Sequence, residues 1–195
     1  GLAETTSARN ADLARLQAVD GKLSDLDRGF SRGLNGQDMI ARDFANSPDL
    51  VLVGVLRGSF CFLADLARAI DLPLRIDLVA LRSYDGETGG DVRVLAGPFG
   101  SVRGASVVLV EDIIERGATV TEAVALLERE GARSVDVCTL LWKPSARAAA
   151  GRYVGFDIPD EFVVGYGLDF EQRYRNVPFV GVLADDEKRA AGGGG

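Results

Sequence analysis

Apolar residues fall along this chain in short unbroken runs, and after several of the runs they recur every three or four positions. VLVGVL (51–56) is a continuous run suited to a strand buried on both faces, and Phe60, Leu63, Leu66 or Ala67, and Ile70 follow at helical spacing. LRIDLVAL (74–81) supplies a second strand. VVLV (107–110) opens a third, and its helix carries Val120, Val124 and Leu127 on one side and stops at Gly131. VDVCTLL (135–141) is a fourth strand. Strands separated by helices of this length predict an α/β fold, a parallel twisted sheet flanked by helices, with ligands at the carboxyl ends of the strands.

Beyond about residue 153 the pattern changes. YVGFDI, FVVGYG and PFVGVL are short runs separated by polar and proline-containing turns, which read as strands of a small β-rich hood beside the main sheet. The expected organisation is a lead-in over residues 1–45, partly helical or disordered, a domain over 46–183 with the hood mainly in 153–183, and a flexible tail over 184–195 that ends in four glycines.

Composition narrows the chemistry. The chain has 195 residues, enough for one domain with a substantial core, and no histidine at all. That removes the commonest general base, the Ser/His and Cys/His nucleophile systems and the usual imidazole metal sites. Carboxylates, Lys, Arg, hydroxyls, backbone amides or an oxygen-bound cation must do the work. A net charge of −7 argues against nucleic acid as a partner. No apolar stretch approaches the roughly 20 residues that span a bilayer, so no membrane is expected. Cys61 and Cys138 each sit in an apolar run, which reads as buried thiols in a reducing, cytoplasmic compartment.

The strongest local signal is VVLVEDIIERGAT (107–119). A buried strand ends in two adjacent carboxylates, Glu111 and Asp112, and after two more apolar residues a loop, Glu115, Arg116, Gly117, Ala118 and Thr119, leads into a helix. The loop amides and the helix dipole would form an anion cradle, Gly117 allowing close backbone approach and Thr119 offering a hydroxyl. Two acids beside a phosphate cradle make sense if the ligand also presents hydroxyls or a divalent cation, as a ribose 5-phosphate does. An isolated acidic pair before a capped helix is otherwise an ordinary solvated turn.

These residues resemble the phosphoribosyltransferase family, whose signature is an apolar strand, an acidic pair, two apolar residues and an acid before a Gly/Thr phosphate loop. GVLRGSF (54–60) is similar to the family's pyrophosphate loop, SYDGETGGDVR (83–93) to its lid, and DIPDEFVVGYGLDFEQRYRNVPFVGVL (157–183) to the purine hood of its 6-oxopurine branch. The resemblance implies the type I phosphoribosyltransferase fold. It also implies transfer of the phosphoribosyl group from phosphoribosyl pyrophosphate to hypoxanthine or guanine, with Mg2+ as cofactor and a homodimer or homotetramer as assembly.

Residue by residue it gives Glu111 and Asp112 to the ribose diol, Glu115 to Thr119 to the 5-phosphate, and Arg57, Gly58 and Arg175 to pyrophosphate. Ser83 and Tyr84 fall to the lid, Phe162 and Val163 to the purine ring, Lys143 to its exocyclic oxygen, and Glu111, Asp112 and Asp169 to the metal, Asp169 also lying by the purine. Glu115 is the implied general base for the attacking imidazole-ring nitrogen. Two departures stand out: Glu115 and Arg116 replace the Asp and Thr or Ser that usually open the phosphate loop, and Arg57 replaces a common lysine. A regulatory or weakly active binding protein with the same fold is therefore the alternative.

Overall fold

The computed structural model describes residues 17–18, 35–83, 92–146 and 151–183. In chain order the elements are β1 (Gln17–Ala18), α1 (Asn35–Asp43), β2 (Leu50–Leu56), α2 (Phe60–Ala69), β3 (Arg75–Ser83), β4 (Val92–Ala96), β5 (Ser106–Ile114), α3 (Ala118–Arg129), β6 (Ser134–Trp142), β7 (Tyr153–Asp157), β8 (Val163–Val164) and β9 (Gly181–Val182). They divide into a larger unit, Ser31–Asp160, and a smaller one, Gly1–Phe30 with Glu161–Gly195.

The larger unit is built on one six-stranded sheet in the order β4-β3-β2-β5-β6-β7. All neighbours run parallel except β4, which pairs antiparallel with β3. The unbroken apolar runs are explained by cover on both faces. In β2 every residue but Leu56 is buried. Val51, Val53 and Val55 join Val107, Leu109 and the α3 residues Val120, Ala123, Leu126 and Leu127 in one cluster. On the other face Gly54 lies against α2, where an added Cβ would stand 2.6 Å from Leu63 Cδ2. Each Val or Leu fully buried this way contributes about 1.5–3 kcal/mol.

From β2 the chain steps outward to β3, and from β5 it steps the other way to β6. The strand order therefore reverses between β2 and β5, the place where loops leaving the carboxyl ends diverge and open a crevice. The register Gly54↔Val110 and Glu111↔Thr139 brings the ends of β2, β5 and β6 level. The RGSF loop, the acidic pair and Lys143 thus leave three adjacent strands at one edge of the sheet.

One expectation is corrected and two elements are added. YVGFDI is not a hood strand: β7 pairs parallel with β6 over Cys138↔Tyr153 to Trp142↔Asp157 and closes the main sheet, with Tyr153 1% exposed. A short apolar run looks the same in either sheet, and only its pairing distinguishes them. Asn35–Asp43, within the stretch read as partly helical, is a helix packed on β7. Val92–Ala96 is an unforeseen edge strand, four of its five residues apolar yet largely exposed.

Asp77, 9% exposed, pins the turn after β4: it accepts hydrogen bonds from the Leu78, Phe99 and Gly100 amides at 2.7, 3.0 and 2.8 Å. Among the described residues no helix is long and apolar enough to cross a membrane.

The smaller unit is a three-stranded antiparallel sheet, β1-β9-β8. Val164, Val177 and Leu183 form its core, with Phe170, Tyr174 and Phe179 packed around them. Its turns are tight. Gly165 has φ 94°, and a Cβ there would lie 2.1 Å from the Phe179 carbonyl oxygen; Tyr166, Glu171, Gln172 and Tyr174 also have positive φ.

Candidate functional site

Strand β5 carries the acidic pair to the sheet edge, and β-strand alternation aims the two side chains differently. Glu111 is 8% exposed, and its Oε2 has no hydrogen-bond partner among the described residues. Burial, and then the neighbouring charge of Asp112, push its carboxyl well above the usual carboxylate range. Asp112 is half-buried, and its Oδ1 accepts the Ile113 amide at 2.9 Å. Its other oxygen meets the loop after β2. A Cβ on Gly58 would stand 1.6 Å from Asp112 Oδ2, so only glycine leaves room for the acid.

The strand continues to Ile114, two residues past the pair, before the turn. Gly117 then caps α3 at φ 81°, a left-handed conformation that glycine adopts without a Cβ penalty. The Gly117 carbonyl accepts from the amide and hydroxyl of Thr121 at 2.9 and 3.0 Å. No side chain caps the helix and no acid sits in its first turn, so its leading amides and dipole point outward. Glu111 to Val120 line one cavity of about 390 Å³. The strand contributes carboxylates and the turn contributes amides, an arrangement that can take hydroxyls at one end and an anion at the other.

Lys143 follows β6 and is almost fully enclosed. Its amide donates to the Ile114 carbonyl at 3.1 Å. Its ammonium makes a short ion pair with Glu115 and lies 3.6 Å from Asp160 Oδ1. The Ser145 hydroxyl donates to the Glu115 carbonyl at 2.9 Å. Glu115 is thus fixed at side chain and backbone by the Lys-Pro-Ser segment. Arg116 is exposed and makes no ion pair with another described residue, so the partner of Glu115 is Lys143.

The larger unit therefore gathers Glu111, Asp112, Glu115, Arg116, Gly117, Ala118 and Thr119 around one cavity, with Gly58 on Asp112 and Lys143 on Glu115. Arg57 is exposed and enters the same loop through a cis Leu56–Arg57 peptide. Ser83 is the last residue of β3, and Tyr84 lies outside the described residues. Trp142 packs at the edge of the core, beside Gly151.

In the smaller unit Phe162 is 41% exposed and meets Phe170 edge to face, with centroids 5.6 Å apart. Val163 is buried in β8. Asp169 pairs with Arg175 at 2.5 Å and accepts the Gln172 amide at 2.8 Å, while Arg175 also donates to the Gly167 carbonyl at 2.7 Å. Ser145 and Asp160 were not singled out from the sequence. A serine two residues after a lysine and an acid in a Pro-Asp-Glu turn carry no local signal. Only the folded chain brings them to Glu115 and Lys143.

Comparison with known proteins identifies the family. The family model of the phosphoribosyl transferase domain matches residues 35–171. A hypoxanthine phosphoribosyltransferase of Salmonella typhimurium is 43% identical over 157 residues, 77% of this chain and 88% of that protein. A hypoxanthine-guanine phosphoribosyltransferase of Mycobacterium avium is 40% identical over 175 residues, 88% of this chain and 84% of its own. The crystal structure of a hypoxanthine phosphoribosyltransferase from Staphylococcus aureus superposes with a TM-score of 0.80 at 35% identity, covering 89% of this chain and 95% of that one. In sequence and in the layout of its sheets, the chain belongs to the phosphoribosyltransferase family and has the type I fold.

Proposed function

We propose that this enzyme serves purine salvage by transferring the phosphoribosyl group of phosphoribosyl pyrophosphate to hypoxanthine, and to guanine, releasing pyrophosphate. The observation that carries the reading is one cavity in which the buried Glu111 and half-buried Asp112 share the lining with a helix start that no side chain caps, with a Lys–Glu pair beside it. The ribose diol donates to Glu111 and Asp112, and the 5-phosphate sits on the amides of the turn from Glu115 to Thr119. Bringing hydroxyls to Glu111 ends the isolation of its Oε2.

A ring nitrogen of the base gives its electron pair to the anomeric carbon as the bond to pyrophosphate oxygen breaks. The proton released by the imidazole ring passes to Glu115. Lys143 donates to the exocyclic oxygen at position 6, which an amino group there would not accept. Arg57, the Gly58 amide and Arg175 hold pyrophosphate, and Ser83 and Tyr84 belong to a lid that excludes water. Phe162 stacks on the ring, and the Val163 backbone reads its edge. Those lid and hood roles rest on the resemblance alone.

The donor set suits magnesium. Glu111 and Asp112 would offer hard oxygen ligands, and Glu111 Oε2 is a buried acceptor without a partner among the described residues. No three potential ligands cluster among the described residues, so an ion held by Glu111 and Asp112 would need further oxygens from substrate and water. When bound, it stabilises charge on the departing diphosphate. Asp169 is a further proposed ligand, in exchange for its bond to Arg175. A homodimer or homotetramer and a cytoplasmic location complete the reading.

The test is to incubate the protein with phosphoribosyl pyrophosphate, magnesium and hypoxanthine, guanine, xanthine or adenine in turn. Nucleotide formation from hypoxanthine and none from adenine is expected. Binding of phosphoribosyl pyrophosphate without turnover on any base would make the protein a binding module and overturn the proposal.

A further inference from the structure

Lys143 offers one ammonium to two carboxylates. Its side chain is 6% exposed; Glu115 touches it and Asp160 stands 3.6 Å away, the Asp160 side chain being 74% exposed. That separation is too long for a hydrogen bond, so Asp160 acts on Lys143 through charge. At rest Glu115 alone already neutralises the ammonium. The need for a second anion arises in turnover, on the phosphoribosyl-transfer reading above. Once Glu115 takes up the proton of the base it is neutral, and an enclosed ammonium without a counter-ion is costly.

Asp160 lies three residues past the end of β7, its carboxylate 3.6 Å from that ammonium and open to solvent. We infer that Asp160 is a positioning residue of this site: the standing counter-ion that holds Lys143 in place once Glu115 has taken the proton of the base. It acts through Lys143 and not on the substrate.

Two measurements test this. The first needs no catalysis: melting temperatures of the full chain, Glu115→Gln, Asp160→Asn and the double variant, at one protein concentration. Each single variant leaves Lys143 one carboxylate, and the double variant leaves none. The double variant is expected to lose more than the sum of the singles, by about 2 °C or more. Additive losses would overturn the inference.

The second is kinetic. Asp160→Asn is expected to lower kcat about three- to fivefold at low salt, with KM for hypoxanthine within twofold. The deficit should shrink in 1 M salt, where charges a few ångströms apart in solvent are screened. Asp160→Glu should restore the rate. A deficit confined to KM, or an Asp160→Glu enzyme as slow as Asp160→Asn, would refute it. Absence of turnover in the unaltered chain would sink the phosphoribosyl-transfer reading instead, and the melting temperatures would still decide whether Asp160 is the second counter-ion.

Discussion

Gly58→Ala adds one methyl group where the structure has no room for it. The new carbon would stand 1.6 Å from Asp112 Oδ2 and 2.5 Å from its Cγ. To reach ordinary contact at 3.4 Å the gap must open by about 1.8 Å. The loop is poorly able to retreat. Ser59, next in the chain, is fully buried, and its hydroxyl donates to the Val55 carbonyl at 2.7 Å while its own carbonyl accepts the Leu63 amide at 2.8 Å. The Asp112 carboxylate must therefore swing away from the ribose position. Misplacement by an ångström costs about 100-fold in catalysis, so kcat/KM for phosphoribosyl pyrophosphate should fall by about that factor. Overpacking costs about 1–3 kcal/mol, and the melting temperature should drop by several degrees without loss of the fold. The assay is nucleotide formation under saturating hypoxanthine, with circular dichroism as the control. A folded Gly58→Ala protein with kcat/KM within fivefold of the parent would refute the proposed coupling between the two loops.

Three further outcomes follow from the same geometry. Glu111 is held above its ordinary range by burial, so between that range and its folded value the native state binds the extra proton and stability falls as pH rises. Glu111→Gln should flatten that fall, seen as a smaller difference in melting temperature between pH 5 and pH 8; an unchanged slope would exclude Glu111 as its source. Glu115→Asp should raise kcat if the extra methylene holds the base off line, and an unchanged or lower rate counts against that handicap. Asp77→Ala should leave three backbone amides without their acceptor and cost about 3 kcal/mol, or roughly 6–12 °C in melting temperature. A shift under 1 °C would show that the turn finds other partners.

The sequence disclosed the parallel sheet because burial on both faces leaves unbroken apolar runs in β2, β5 and β6. It disclosed the acidic pair and the glycine turn because both are contiguous in the chain. Long-range pairings left less trace. Tyr153–Asp157 joins the main sheet only through its register with β6, and Val92–Ala96, four of whose five residues are apolar, overlaps the segment 83–93 that reads as a lid. Lys143 was legible as a purine contact only through the family likeness. That its ammonium rests on Glu115, with Asp160 behind it, depends on how the ends of β5, β6 and β7 meet.

The account turns on one ligand spanning strand and turn, and a crystal structure of the protein soaked with inosine 5′-monophosphate reads this directly. The 2′- and 3′-hydroxyls should lie within hydrogen-bond distance of Glu111 and Asp112, with the phosphate on the amides of residues 116–119. A nucleotide whose phosphate sits elsewhere, or whose hydroxyls leave Glu111 Oε2 unpartnered, would contradict it.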